Sequence, residues 1–119
     1  MDPRLTRGID AFNAGRFFAA HEVWEDLWLD SVGAEKRLVQ GLVQVAAGYL
    51  KAESGVHRGA LTLLQRGVGL LGEFFPVCCG MRLAAFVEQV HDDVARLRTA
   101  AEGLTVPPAL HAPQLDVER

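Results

Sequence analysis

A hydrophobic repeat of about 3.6 residues runs through most of the chain and restricts it to helical folds. No stretch shows the sustained alternation, or the β-branched runs between turn signals, that are typical of strands. Helix-breaking segments interrupt the repeat at 13–15, 30–33, 54–55 and 75–76. The sequence therefore predicts an all-α, single-domain bundle of about five helices.

The interruptions also set the limits of the predicted helices. The first is short, with Leu5, Ile9 and Phe12 on one face and Pro3 in its first turn. The other four are predicted over 16–29, 34–53, 56–74 and 81–101. The bundle then covers 1–104, and the proline-rich segment 105–119, which shows little periodicity, is predicted to be an extended tail.

Small residues on the third and fourth predicted helices indicate close helix packing. The third helix has little polar surface and should be central, and its Gly41, Gly48 and Ala52 fall close together on one side. A neighbouring helix is therefore expected to approach closely there. The fourth helix contains several glycines, each of which lowers helix propensity by about 1 kcal/mol relative to alanine, so tertiary packing must hold it.

Size and composition favour one folded domain that associates with itself. A chain of 119 residues is long enough to bury a core without metal or disulfide staples. Hydrophobic residues make up 50% of it and charged residues 23%, which lies on the apolar side of ordinary globular composition. We therefore expect a homo-oligomer, most simply a dimer.

Charge and hydropathy argue against nucleic-acid and membrane partners. The formal net charge is -3 and the basic residues are scattered, so no basic surface for a polyphosphate is expected. The most apolar stretch is interrupted by Gln40, Gln44 and Lys51, and the first residues do not resemble a signal peptide. A cytoplasmic protein is expected, in which the adjacent Cys78 and Cys79 are reduced. They are interpreted mainly as small hydrophobes in a loop, although a vicinal pair can also bind a soft metal or act in redox chemistry.

Residues 16–30 read RFFAAHEVWEDLWLD and place His21 and Glu25 one helical turn apart. At about 100° per residue, the pair shares one half of the helix with Phe17, Trp24 and Trp28, which predicts that it faces the interior. A buried carboxylate and a buried imidazole both need hydrogen-bonding or charged partners. These two side chains are the main candidates for a functional site.

Two interpretations of this pair remain open. In one, His21 and Glu25 form a buried polar network with Gln40 and Gln44 of the third helix. In the other, they bind zinc or a similar divalent ion, because His and Glu are usual ligands and residues four apart project side by side.

Further ligands of such an ion could come from Glu22, at the border of the same helix face, from His57 or His91, or from a partner subunit. A thermolysin-type protease is disfavoured, because its motif requires histidine at the position of Glu25. The sequence leaves the catalytic residues of any reaction unassigned, and no organic cofactor is predicted.

The run FNAGRFFAAHEVWEDLW and the later KRLVQGLVQVAAGYLK resemble the DUF309 family of small all-helical bacterial and archaeal proteins, over about 9–71. That family has a motif of His, three residues, Glu, two residues, and Trp or Tyr, which matches His21, Glu25 and Trp28. The resemblance implies a metal-binding role for these positions but no assigned reaction.

The first predicted helix, the turn at 13–15 and the second predicted helix also resemble the helical hairpin of a tetratricopeptide unit, although no second copy is found. The leading hypothesis is a divalent metal-binding protein. Its most specific form is a hydrolase in which metal-bound water is the nucleophile and Glu22 or Glu25 assists as base. The alternative is a non-enzymatic scaffold or interaction module with a protein partner. In that case Trp24 and Trp28 would serve as aromatic anchors if exposed.

Overall fold

The computed structural model describes residues 2–103, 110 and 112–117, and α-helices account for most of them. The predicted all-α class is confirmed. The five helices of the described residues are α1 (Pro3–Asn13), α2 (Phe17–Leu29), α3 (Gly33–Glu53), α4 (His57–Leu71) and α5 (Leu83–Ala101), and a short 3₁₀ helix (Gly72–Phe74) extends α4.

Local signals account for the ends of these helices. Asp2 caps α1, because its Oδ1 accepts a hydrogen bond of 2.8 Å from the backbone N–H of Arg4, and Pro3 occupies the first turn. Gly15 and Gly55 have φ of +77°, a left-handed conformation that suits glycine and allows the tight turns after α1 and α3. The chain thereby forms two helical hairpins, α1–α2 and α3–α4.

The buried ring of Phe12 links aromatic side chains of four helices in the core. Its centroid lies 5.1 Å from Phe17, 6.0 Å from Trp24, 5.8 Å from Tyr49 and 5.5 Å from Phe86. Aromatic pairs at these separations add to the stabilisation that comes from area burial. The rings of α1, α2, α3 and α5 therefore form one continuous cluster.

The close approach predicted from the glycines of α3 is confirmed, and the neighbouring helix is α4. A Cβ on Gly41 would lie 3.2 Å from the carbonyl oxygen of Gly67, and one on Gly48 would lie 2.7 Å from the Leu64 side chain. Only glycine allows backbones to pack this tightly without displacement. By contrast, a Cβ on Gly69 would meet no atom within 4 Å, so close packing explains only some of the α4 glycines.

A small β-hairpin follows α4, where a loop was predicted. Val77–Cys78 pairs antiparallel with Met81–Arg82, and both turn residues have positive φ, +54° at Cys79 and +78° at Gly80. A two-residue turn with two left-handed residues matches the twist of the strands that it joins. Two-residue strands are too short to produce a periodic sequence signal, so the sequence did not reveal them.

The described part of the C-terminal segment is extended, as predicted, and packs on the bundle. Leu115 is buried and exchanges two hydrogen bonds with the Asn13 side chain, 2.7 Å to its backbone N–H and 3.1 Å to its carbonyl oxygen. Val117 forms an isolated bridge with Met81 of the hairpin. The predicted boundary between residues 104 and 105 lies outside the described residues.

Within the described part of the chain, none of the helices has the length and apolar character needed to cross a membrane.

Candidate functional site

His21 and Glu25 lie side by side on α2, with 3.5 Å between Nε2 of His21 and Oε2 of Glu25. The His21 side chain is 26% exposed and that of Glu25 is 55% exposed. The prediction that the pair faces the interior is therefore wrong. The buried side of α2 is formed by Phe17, Ala20, Trp24 and Leu27, so His21 lies at its edge and Glu25 lies on the solvent side.

The predicted buried network with α3 is not formed. Among the described residues no hydrogen bond joins His21 or Glu25 to Gln40 or Gln44. Oε1 of Gln44 is buried and has no hydrogen-bond partner in the described part of the chain. An unsatisfied buried acceptor costs about 1–3 kcal/mol, so this side chain does not act as the stabilising partner that the network required.

The two tryptophans of α2 have different surroundings. Trp24 is buried, and its Nε1–H donates a 3.2 Å hydrogen bond to the carbonyl oxygen of Leu5. Trp28 is half-buried, and Nζ of Lys36 lies 4.1 Å from the centroid of its ring, within the range of a cation–π contact. Trp24 therefore does not meet the condition of exposure that a surface anchor requires.

The separation of His21 and Glu25 fits two adjacent ligands of one metal ion. Ligand atoms about 2.0–2.2 Å from a zinc ion and tetrahedrally arranged are about 3.4 Å apart, and the two atoms here are 3.5 Å apart. Both side chains are also accessible to an incoming ion. His21 and Glu25 therefore fit, as two ligands, the divalent ion that the family motif implies.

Among the residues that the structure describes, no further ligands lie beside this pair. Glu22 is exposed on the outer side of α2, His91 is exposed on α5, and His57 lines a separate cavity of about 330 Å³ with Tyr49. Within the described residues there is no group of three or more His, Cys, Asp or Glu side chains that could hold a metal ion. The part of one chain that the structure describes therefore supplies two protein ligands at this position.

A buried polar cluster, which sequence reasoning missed, joins α3 to α5. The Tyr49 hydroxyl donates a 2.7 Å hydrogen bond to Oδ2 of the fully buried Asp93, and Nη1 of Arg96 donates one of 3.1 Å to Oδ1. Burial, followed by the hydrogen bond to Asp93, raises the pKa of Tyr49 well above its usual value. The sequence did contain one signal of this cluster: the charged residue Asp93 falls on the apolar stripe of α5, between Val90 and Leu97.

The fold and the α2 pair define a class of protein: a small helical bundle of two hairpins and a fifth helix, with an accessible His and Glu one turn apart. The family model described as "Domain of unknown function (DUF309)" matches residues 5–63, from α1 into α4. Through this N-terminal half the chain belongs to the DUF309 family, as the motif of His21, Glu25 and Trp28 predicted. No curated protein matches the sequence.

Proposed function

We propose that the His21–Glu25 pair binds a divalent transition-metal ion and that metal binding is the function of this face of α2. The observation that carries the proposal is the 3.5 Å separation of the ligand atoms of two accessible side chains on one helix. A pair that served only as a surface ion pair would contribute about 0.3–0.5 kcal/mol. Such a small contribution gives a weak structural reason to place the two side chains together.

The charge of α2 supports the binding of a cation. The helix carries Glu22, Glu25 and Asp26, and it contains neither lysine nor arginine. All three acidic residues are exposed, so their summed field reaches an approaching ion, although salt screens it over about 10 Å. A bound ion with free coordination positions can act as a Lewis acid. Hydrolase activity remains a prediction that depends on metal binding.

The first prediction concerns the two ligands. We expect His21→Ala and Glu25→Gln each to weaken zinc binding at least tenfold, about 1.4 kcal/mol in binding free energy. The measurement is isothermal titration of tag-free protein with Zn²⁺ and Ni²⁺. Because both side chains are partly exposed, the substitutions should change the unfolding free energy by no more than about 0.5 kcal/mol. The loss would therefore report on binding and not on folding.

His91→Ala is the matched control, because it removes an exposed histidine from α5 and leaves α2 unchanged. It should bind zinc like the unaltered protein. If His21→Ala and His91→Ala both retain unaltered zinc affinity, the pair is not a metal site.

The second prediction concerns the further ligands, which the described residues of one chain do not supply. We propose that a second copy of this chain completes the coordination, so that one ion is shared by two His21–Glu25 pairs. Light scattering coupled to size exclusion should then show twice the chain mass when Zn²⁺ is present, with one ion per two chains. The variant His21→Ala should remain monomeric under the same conditions.

An interaction module is the second candidate function, and the exposed apolar side chains near the pair favour it. Phe18 is 57% exposed and Leu29 is 64% exposed, and both lie on the solvent side of α2 with Glu25. A metal-free dimer that Phe18→Ser disrupts and His21→Ala does not would support this function. The same result would contradict a dimer bridged by metal.

A further inference from the structure

A cavity of about 660 Å³ lies between the N-terminal helices and the β-hairpin, away from the exposed face of α2. Most of its wall is apolar, and two free thiols form another part of it. The lining includes Leu27, Leu38, Val39, Phe74, Cys78 and Cys79. Apolar cavities of about 150 Å³ already hold a benzene molecule, so this one has room for an aromatic ring.

The hairpin turn holds the two thiols close together. The Sγ atoms of Cys78 and Cys79 are 3.6 Å apart; Cys78 is half-buried and Cys79 is exposed. The left-handed conformations of Cys79 and Gly80 define the turn that presents both sulfurs. Burial raises the pKa of the Cys78 thiol, with a smaller contribution from its contact with Cys79, which favours the protonated thiol at neutral pH.

This separation restricts what the two sulfurs can bind together. Two sulfurs bonded at about 2.3 Å to one atom, with an angle of about 100–109°, are about 3.5–3.8 Å apart. A linear two-coordinate centre would need about 4.6 Å. Oxidation to a disulfide would need about 2.05 Å across adjacent residues, a strained arrangement. The observed 3.6 Å therefore fits a bent or pyramidal thiophilic centre.

We propose that Cys78 and Cys79 bind a trivalent arsenical that carries one apolar organic group, and that this group occupies the adjoining cavity. In the reaction with an arsenoxide, each thiol gives its proton to the arsenic-bound oxygen. Two S–As bonds form, the As–O bond breaks, and one water leaves. Arsenic stays trivalent and keeps its bond to carbon, so no oxidant or reductant is needed.

Phenylarsine oxide is the probe for the thiols. One equivalent added to the full chain should remove both titratable thiols and add one phenylarsenic group to the intact mass. Binding should survive excess mercaptoethanol, because a monothiol cannot form a chelate with arsenic. A small dithiol should reverse it, because it forms a competing chelate. Cys78→Ser and Cys79→Ser should each weaken retention at least tenfold. Retention by either variant that equals that of the unaltered protein would overturn the proposal.

The cavity is tested with Ala34→Trp, because Ala34 is an exposed residue of α3 that lines the cavity. The larger side chain should weaken phenylarsine oxide binding about tenfold and leave the affinity for inorganic arsenite unchanged. Ala85→Trp, at an exposed position of α5, is the matched control and should affect neither probe. Unaltered phenylarsine oxide affinity in Ala34→Trp, with its helical circular dichroism intact, would overturn the assignment of the cavity.

Discussion

Replacing Gly67 with alanine is expected to destabilise the protein by about 1–3 kcal/mol, the range found for overpacked cores. A Cβ at this position would lie 2.7 Å from Cγ2 of Val45 and 2.9 Å from the carbonyl oxygen of Gly41. The carbonyl belongs to the backbone of α3 and cannot rotate away, so α3 and α4 must move apart. That loss should exceed the gain in helix propensity, which is about 1 kcal/mol. Urea unfolding followed by circular dichroism measures the difference.

Gly69→Ala is the matched control, two residues further along the same helix. A Cβ there would have no neighbour within 4 Å, and the position is exposed. The gain in helix propensity is then not offset by a steric clash, so this variant should be more stable by up to about 1 kcal/mol. Opposite signs for the two substitutions would confirm that contact between the backbones, and not helix propensity, decides the outcome. Stabilisation by both would show that α4 can shift away from α3.

Replacing Tyr49 with phenylalanine is expected to destabilise the protein by about 1.5–3 kcal/mol, the range for a hydrogen bond to a charged group. The substitution keeps the buried ring and removes only the hydroxyl that donates to Asp93 at 2.7 Å. The carboxylate then stays fully buried with one donor fewer. Urea unfolding at neutral pH, where the phenol is protonated in both states, gives the difference.

The Tyr49 side chain should also make the free energy of unfolding fall as the pH rises through the alkaline range. Because folding raises the pKa of Tyr49, the unfolded chain loses the phenol proton at about pH 10 while the folded protein still retains it. The stabilisation is complete below about pH 10 and is lost as pH rises toward the higher folded value. Tyr49→Phe should lack this dependence, so its stability deficit should shrink above pH 10.

Direct titration is possible because Tyr49 is the only tyrosine in the chain. The absorbance of phenolate should therefore appear only when the protein unfolds at alkaline pH. Phenolate that forms at about pH 10 while the helical circular dichroism is intact would contradict the hydrogen-bonded, buried position of Tyr49.

The two proposed sites differ in their relation to the family. The match covers residues 5–63 and so contains His21 and Glu25, whereas Cys78 and Cys79 lie beyond its end. Metal binding by the α2 pair is therefore a hypothesis about the DUF309 part of the chain. Arsenical binding by the hairpin is a hypothesis about a later segment, and each can fail without affecting the other.

The hydrophobic periodicity alone was enough to predict the helices. A helix that buries one face repeats its apolar residues every three or four positions, and a short stretch of sequence shows this repeat. The helix predicted over 81–101 is found as α5, and its large apolar side chains from Leu83 to Leu97 are buried. The close approach at Gly41 and Gly48 was also predictable, since small residues on one side of an apolar helix have few other roles. The motif of His21 and Glu25 identified the candidate pair and its spacing.

Only the tertiary structure decided which of these side chains are covered. A helical wheel gives the angle between Glu25 and Trp24 but does not show which other helices pack against each side chain. The exposure of Glu25 could therefore not be deduced from the sequence. The contacts of Tyr49 with Asp93 and of Asn13 with Leu115 join residues 44 and 102 positions apart. Such contacts depend on the packing of whole helices, for which neighbouring residues carry no signal.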